Sequence, residues 1–162
     1  MSDALAAVYD ELLLQHIREA HNYGLVEASV PTVEISNPMC GDTLRLQLDW
    51  QGDLLTQARF ECECCGIAMG NASLMTLMLA GLSRKRVRQR AGQALAVLQG
   101  AALPQDLSDD SDDDARLQGW HLLAGVARQL PARLTCASLG WQAVAAGLAN
   151  DLAPVAQEIR RA

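Results

Sequence analysis

Aromatic residues are nearly missing from this 162-residue chain: they make up 4% of it, with one phenylalanine, two tyrosines and three tryptophans. Its core must therefore be built from aliphatic side chains, and the abundance of alanine and leucine favours helices. Long hydrophobic runs are also lacking, and no stretch approaches the roughly 20 apolar residues of a membrane span. Met1 to Ala20 shows no cationic start followed by an apolar run, so no secretory leader is read and a cytoplasmic setting is expected. No basic stripe suited to releasing counterions from nucleic acid stands out, which argues against that class of partner.

What is present is more specific. Half of the residues are hydrophobic, enough for one globular domain spanning 1–162. The net charge is −6, and six carboxylates (Asp106, Asp109, Asp110, Asp112, Asp113, Asp114) fall in one run, leaving the remainder close to neutral. Such a block repels itself and buries nothing, so it reads as a solvated loop insertion at about 103–116. Five cysteines, an odd number in a chain read as cytoplasmic, point to metal or sulfur chemistry rather than to a disulfide framework.

The pattern along the chain predicts an α+β fold. Leu5, Val8, Leu12, Leu13 and Ile17 recur at helical spacing, with Ser2 or Asp3 as a cap and Tyr23-Gly24 as the stop. Glu27 to Ser36 reads as extended, with Val30, Val33 and Ile35 its apolar positions. Thr43 to Trp50 alternates strictly: Leu44, Leu46, Leu48 and Trp50 share one face, and Arg45, Gln47 and Asp49 the other. Gln51-Gly52-Asp53 turns it back into Leu54 to Cys62, where Ala58, Phe60 and Cys62 share a face.

Ile67 to Leu82 is small and unbranched, as a buried helix requires, with Gly81 as its cap and Gly70 as a place for close packing. A basic helix follows from about Ser83 to Leu98, then helices at about 117–129 and 134–149 flank Pro131. The expected architecture is a small antiparallel three-stranded sheet with helices packed on one face.

Three thiols and a carboxylate (Cys40, Asp42, Cys65 and Cys136) are residue types that suit zinc or iron. Cys40 and Asp42, two apart in Asn37-Pro38-Met39-Cys40-Gly41-Asp42, point the same way if that segment is extended. Cys65 sits where a strand gives way to a helix, and Cys136 near the start of the last helix. Helix N-termini favour negative charge, which helps both metal ligation and persulfide chemistry. His16, His21 and His121 stand outside any motif and read as ordinary surface or core residues.

Together with Ala58-Arg59-Phe60-Glu61 through Cys65, and Pro131-Ala132-Arg133-Leu134-Thr135-Cys136-Ala137, these segments resemble the U-type iron–sulfur cluster assembly proteins, the IscU/SufU/NifU group. The resemblance runs from Tyr9 to Ala149 and is nearest to the SufU branch. The interval from Cys65 to Cys136 is long and holds the acidic run. Thr135 stands where the IscU branch has histidine, and the chaperone-docking motif of that branch is replaced by Pro131-Ala132-Arg133.

The resemblance implies a SufE/NifU-like fold and ligands at Cys40, Asp42, Cys65 and Cys136 for zinc or for iron as a [2Fe–2S] cluster. It also implies a cysteine desulfurase of SufS/IscS type and apo iron–sulfur acceptors as partners. Cys40 would accept the sulfur, Asp42 would be the labile ligand that lets the site open, and Arg133 would lie near the metal or a partner surface. A scaffold is implied rather than an enzyme, with zinc-dependent sulfurtransferase activity beside a desulfurase as its one candidate reaction.

Cys62 and Cys64 depart from the family, which usually carries glycine there. Cys62 continues the Phe60 face and reads as a core thiol, while Cys64, beside Cys65, reads as an auxiliary ligand, a sulfur acceptor, a partner in a strained vicinal disulfide on oxidation, or a bystander. The competing readings are a cluster scaffold without sulfur transfer, a metal-free thiol or redox carrier, and a structural zinc domain.

Overall fold

The computed structural model describes residues 3–26, 30–38, 41–105, 107, 114–149 and 155–156. The elements run α1 (Asp3–Arg18), β1 (Thr32–Asn37), β2 (Asp42–Gln51), β3 (Leu54–Glu63), α2 (Gly66–Leu79), α3 (Arg84–Leu98), α4 (Asp114–Gln129), a 3-10 turn (Pro131–Arg133), α5 (Leu134–Ala149) and β4 (Val155–Ala156). The first three strands form the antiparallel meander that the alternation predicted. The two-residue β4, which the sequence pattern did not suggest, lies parallel to β1, giving the order β3-β2-β1-β4.

Register puts the apolar sets together. Leu44 lies opposite Ile35 and Cys62, and Leu46 opposite Val33 and Phe60. Ile35, Leu44 and Phe60 are fully buried beneath the helices. Gly52-Asp53 closes the β2–β3 hairpin in two residues, with Gly52 at φ 61°, as tight hairpins demand. A bulge at Asp49/Trp50 shifts the alternation near this end, and Trp50 is half-buried under the Arg84 guanidinium, 4.1 Å from the ring centre.

The helices lie on one face of the sheet. α5 packs on β1 and β2, α2 and α3 pack on β3, and α1 and α4 cover α2. α2 is buried nearly all round, as its small residues predicted. It ends at Ala80-Gly81, and Gly81 takes φ 86°. A side chain on Gly70 would meet Ile17 and Leu13 at 2.9 Å, so this glycine does allow α1 to close on α2. Ser83 caps α3 by accepting the Arg86 N–H.

Two expectations need correction. α1 stops at Arg18 rather than at Tyr23-Gly24, because residues 22–24 cross to the free edge of β3. There Phe60 donates its N–H to the Asn22 carbonyl and Gly24 donates to the Phe60 carbonyl. The acidic insertion also ends earlier than 116, since α4 opens at Asp114. The rest of the acidic run lies largely outside the described residues, as do Ser2 and residues 27–29.

Gln47 shares its strand face with Arg45 and Asp49, yet it is only 3% exposed. Its Oε1 accepts the Val26 N–H at 2.7 Å, and its Nε2 donates to the Val30 carbonyl and the Thr32 hydroxyl. One side chain thus pins the chain before β1 across the outer face. Gln47→Ala leaves those backbone groups without partners and is expected to cost about 1–3 kcal/mol. Chemical denaturation checks this, with faster hydrogen exchange at the Val26 amide as the local signature.

Candidate metal centre

Three elements end at one place. Asp42 is the first residue of β2, facing Asn37 across the mouth of the β1–β2 hairpin. Gly41 holds φ 76° there and donates its N–H to the Asn37 carbonyl, a conformation that glycine adopts without strain. Cys65 is the N-cap of α2, with extended backbone (φ −72°, ψ 166°) and no side-chain cap bond, so its sulfur is not spent on the helix. Cys136 is in the first turn of α5 and 6% exposed.

One donor atom from each of Asp42, Cys65 and Cys136 lies within 4.8 Å of the others. Zinc bonds sulfur at about 2.3 Å, which spaces tetrahedral donors by roughly 3.8 Å. A closing movement on the order of 1 Å would therefore let the three share one ion.

The convergence has a packing cause. α2 and α5 cross where Gly140 faces Ala72 and Met75: a side chain there would sit 3.4 Å from the Ala72 Cα and 3.2 Å from the Met75 sulfur. Backbones this close keep the two N-terminal turns, and their cysteines, side by side.

The Asp42 carboxylate supplies the second test of fit. Asp42 is 8% exposed, and its Oδ2 is buried with no hydrogen-bond donor among the described residues. Burying a carboxylate oxygen without a donor is costly. An oxygen orphaned beside two thiols is what a borderline-soft cation would satisfy, so the residues present fit a zinc or iron ion.

Cys40 lies outside the described residues. Arg133 is exposed in the 3-10 turn leading into α5. Cys62 and Cys64 are joined in a disulfide across Glu63, with Cα atoms 5.4 Å apart. This corrects the reading of Cys62 as a core thiol and, in this state, ties up the Cys64 sulfur. Cys65 and Cys136 are not disulfide-bonded. The signal for the Cys62–Cys64 bond was legible in the spacing, since residues two apart in extended backbone point to one side.

His16 and His21 are structural. His16 Nδ1 lies 2.8 Å from the Ser73 hydroxyl, which also accepts the His21 backbone N–H, so α1 and the turn after it are fastened to α2. Burial, and secondarily the neighbouring His21, lowers the His16 pKa below its ordinary 6.5. The unfolded chain then takes up the proton first as pH falls below 6.5, so stability is expected to drop on acidification. The melting temperature of the parent should fall more between neutral and mildly acid pH than that of His16→Gln.

The profile of the NifU-like N-terminal domain matches residues 8–112, and the chain belongs to that family. Within it, the chain is 31% identical over 147 residues to the zinc-dependent sulfurtransferase SufU of Bacillus subtilis, covering 91% of this chain and 93% of that one. It is 28% identical over 137 residues to the iron–sulfur cluster assembly scaffold protein IscU of Streptococcus pyogenes, covering 85% and 80%.

Among solved structures, a NifU-like N-terminal protein from Brucella abortus superposes with a TM-score of 0.66 at 20% identity, over 88% of this chain and 92% of that one. A SUF-system scaffold protein from Fervidobacterium islandicum gives 0.65 at 17%, over 91% and 99%. At these identities the structures speak to the fold. No helix among the described residues is long and apolar enough to cross a membrane.

Proposed function

We propose that this chain is an iron–sulfur cluster assembly protein that accepts sulfane sulfur from a cysteine desulfurase and serves apo acceptor proteins. In this reading it acts as a single U-type domain in the cytoplasm, with the acidic segment as an insertion. The observation that carries the reading is the meeting of Asp42, Cys65 and Cys136, with a buried carboxylate oxygen left without a donor. Names borne by relatives, a zinc-dependent sulfurtransferase and a cluster scaffold, point the same way.

Cys40, Asp42, Cys65 and Cys136 would hold zinc, or iron as a [2Fe–2S] cluster. The bound ion would supply positive charge that keeps the sulfurs as thiolates. The chain's own residues then divide the work. Asp42 offers oxygen, the hardest donor of the set, and is the ligand that yields first to an incoming group. Cys40, which precedes Gly41 in the sequence, is the sulfur acceptor. Cys65 and Cys136 stay at the N-termini of α2 and α5, where the helix dipoles favour sulfur anions. Arg133 lies on the exposed approach to Cys136 and suits a partner contact.

Incubation with a desulfurase and cysteine, followed by peptide mass spectrometry, tests the proposal. With the Cys62–Cys64 bond closed, one added sulfur atom should map to a named site cysteine, and none on any cysteine overturns the sulfur-acceptor reading. Metal analysis of fresh protein and anaerobic reconstitution with iron and sulfide separate resident zinc from a cluster. Partial retention of structure under a chelator separates a handover site from a structural zinc domain.

A further inference from the structure

We propose that Cys62 and Cys64 form a dithiol–disulfide couple that reduces the sulfane sulfur delivered to the adjoining site, releasing it as sulfide. The inference rests on the sulfur-acceptor reading above and adds the source of the two electrons. Sulfur arrives as a neutral atom in a persulfide, whereas a cluster contains sulfide, so a reductant must intervene.

The Cys62–Cys64 bond does not read as a structural staple. It spans a single intervening residue, and the stability conferred by a cross-link grows with the loop it closes. Glu63 is already held in the β2–β3 ladder opposite Thr43, so the bridge ties down nothing distant. Its position is more telling. Cys64 is covalently next to Cys65, whose sulfur belongs to the donor cluster with Asp42 and Cys136.

Cys62 and Cys64 are both half-buried, and Cys62 lines a cleft of about 420 Å³ on the outer sheet face with Tyr23, Arg45 and Glu61. Partial exposure of both cysteines leaves the bond open to an external thiol. On the inner side the Cys62 sulfur lies 4.0 Å from the Met69 sulfur.

The step balances. The Cys64 thiolate attacks the outer sulfur of a persulfide on a site cysteine, which regains its own thiolate as Cys64 becomes the persulfide. The Cys62 thiolate then attacks the Cys64 Sγ and expels hydrosulfide, closing the Cys62–Cys64 bond. In sum, one persulfide and two thiols give one thiol, one hydrogen sulfide and one disulfide. An external dithiol resets the couple by two thiol–disulfide exchanges.

The test is a single turnover on the whole chain, reduced with dithiothreitol, desalted anaerobically and given desulfurase and limiting cysteine with no other reductant. The parent should release close to one sulfide per sulfur accepted and lose two hydrogens, with the new disulfide mapped to Cys62–Cys64. Cys62→Ser and Cys64→Ser should keep the added sulfur and release about tenfold less sulfide, because the exchange lacks one partner. Parent protein oxidised beforehand should behave like the variants, a control that needs no mutation.

Sulfide release from the variants or the oxidised parent at the parent rate overturns the proposal, as does a loaded, reduced parent that releases none. In both cases the sulfur-acceptor reading survives. A parent that never gains sulfur removes that reading and the couple with it.

Discussion

Asp42→Ala is expected to make the metal-free protein more stable, by about 1–3 kcal/mol, since the variant no longer buries an oxygen that lacks a donor. For a chain of this length that corresponds to a rise in melting temperature of about 2–10 °C. The gain should reverse sign once zinc is present. In the parent the ion supplies the missing partner, so ligand linkage lifts the parent further than the variant. Thermal melts of both proteins, with chelator and with excess zinc, give four numbers that decide the matter. A metal-free variant no more stable than the metal-free parent would show that the carboxylate is satisfied by something other than an ion.

Gly140→Leu should have the larger structural effect. The site of substitution faces the Ala72 backbone at 3.4 Å and the Met75 sulfur at 3.2 Å, and only the methionine can move aside cheaply. Forcing α2 and α5 apart is expected to cost about 1–3 kcal/mol. It should also spread Cys65 from Cys136 and weaken zinc binding by at least about tenfold, since zinc sites tolerate donor errors of only about 0.2 Å. Met75→Ala in the same chain makes room on one side and should restore part of the affinity. Parent-like zinc affinity in a destabilised Gly140→Leu protein would mean that the helix crossing does not set the donor spacing.

Much of this architecture was legible because the signals are local. Leu44, Leu46, Arg45 and Gln47 alternate strictly, and only a strand satisfies that period, while Gly52, Gly81 and Ser83 punctuate the ends of elements where their backbone needs fall. Cys65 reads as a strand–helix junction for the same reason, and it is the N-cap residue of α2.

What escaped depends on contacts distant in the chain. Gln47 looks like any solvent-facing strand residue until the segment around Val26 folds over it. The end of α1 is set by the bonds of Asn22 and Gly24 to Phe60, far along the chain. The meeting of Asp42, Cys65 and Cys136 could not follow from their spacing. The family resemblance supplied it, and the α2–α5 crossing accounts for it physically. Cys62 continues an apolar face, a pattern that hides its bond to Cys64.

The donors are also ordered in time. A nascent chain emerging from the ribosome acquires Asp42 and Cys65 long before Cys136, which arrives only with α5, the last long helix of the described residues. Vectorial synthesis therefore offers an ion at most a partial grip until that helix docks beside α2, so the growing polypeptide is guarded from premature capture in a half-formed arrangement.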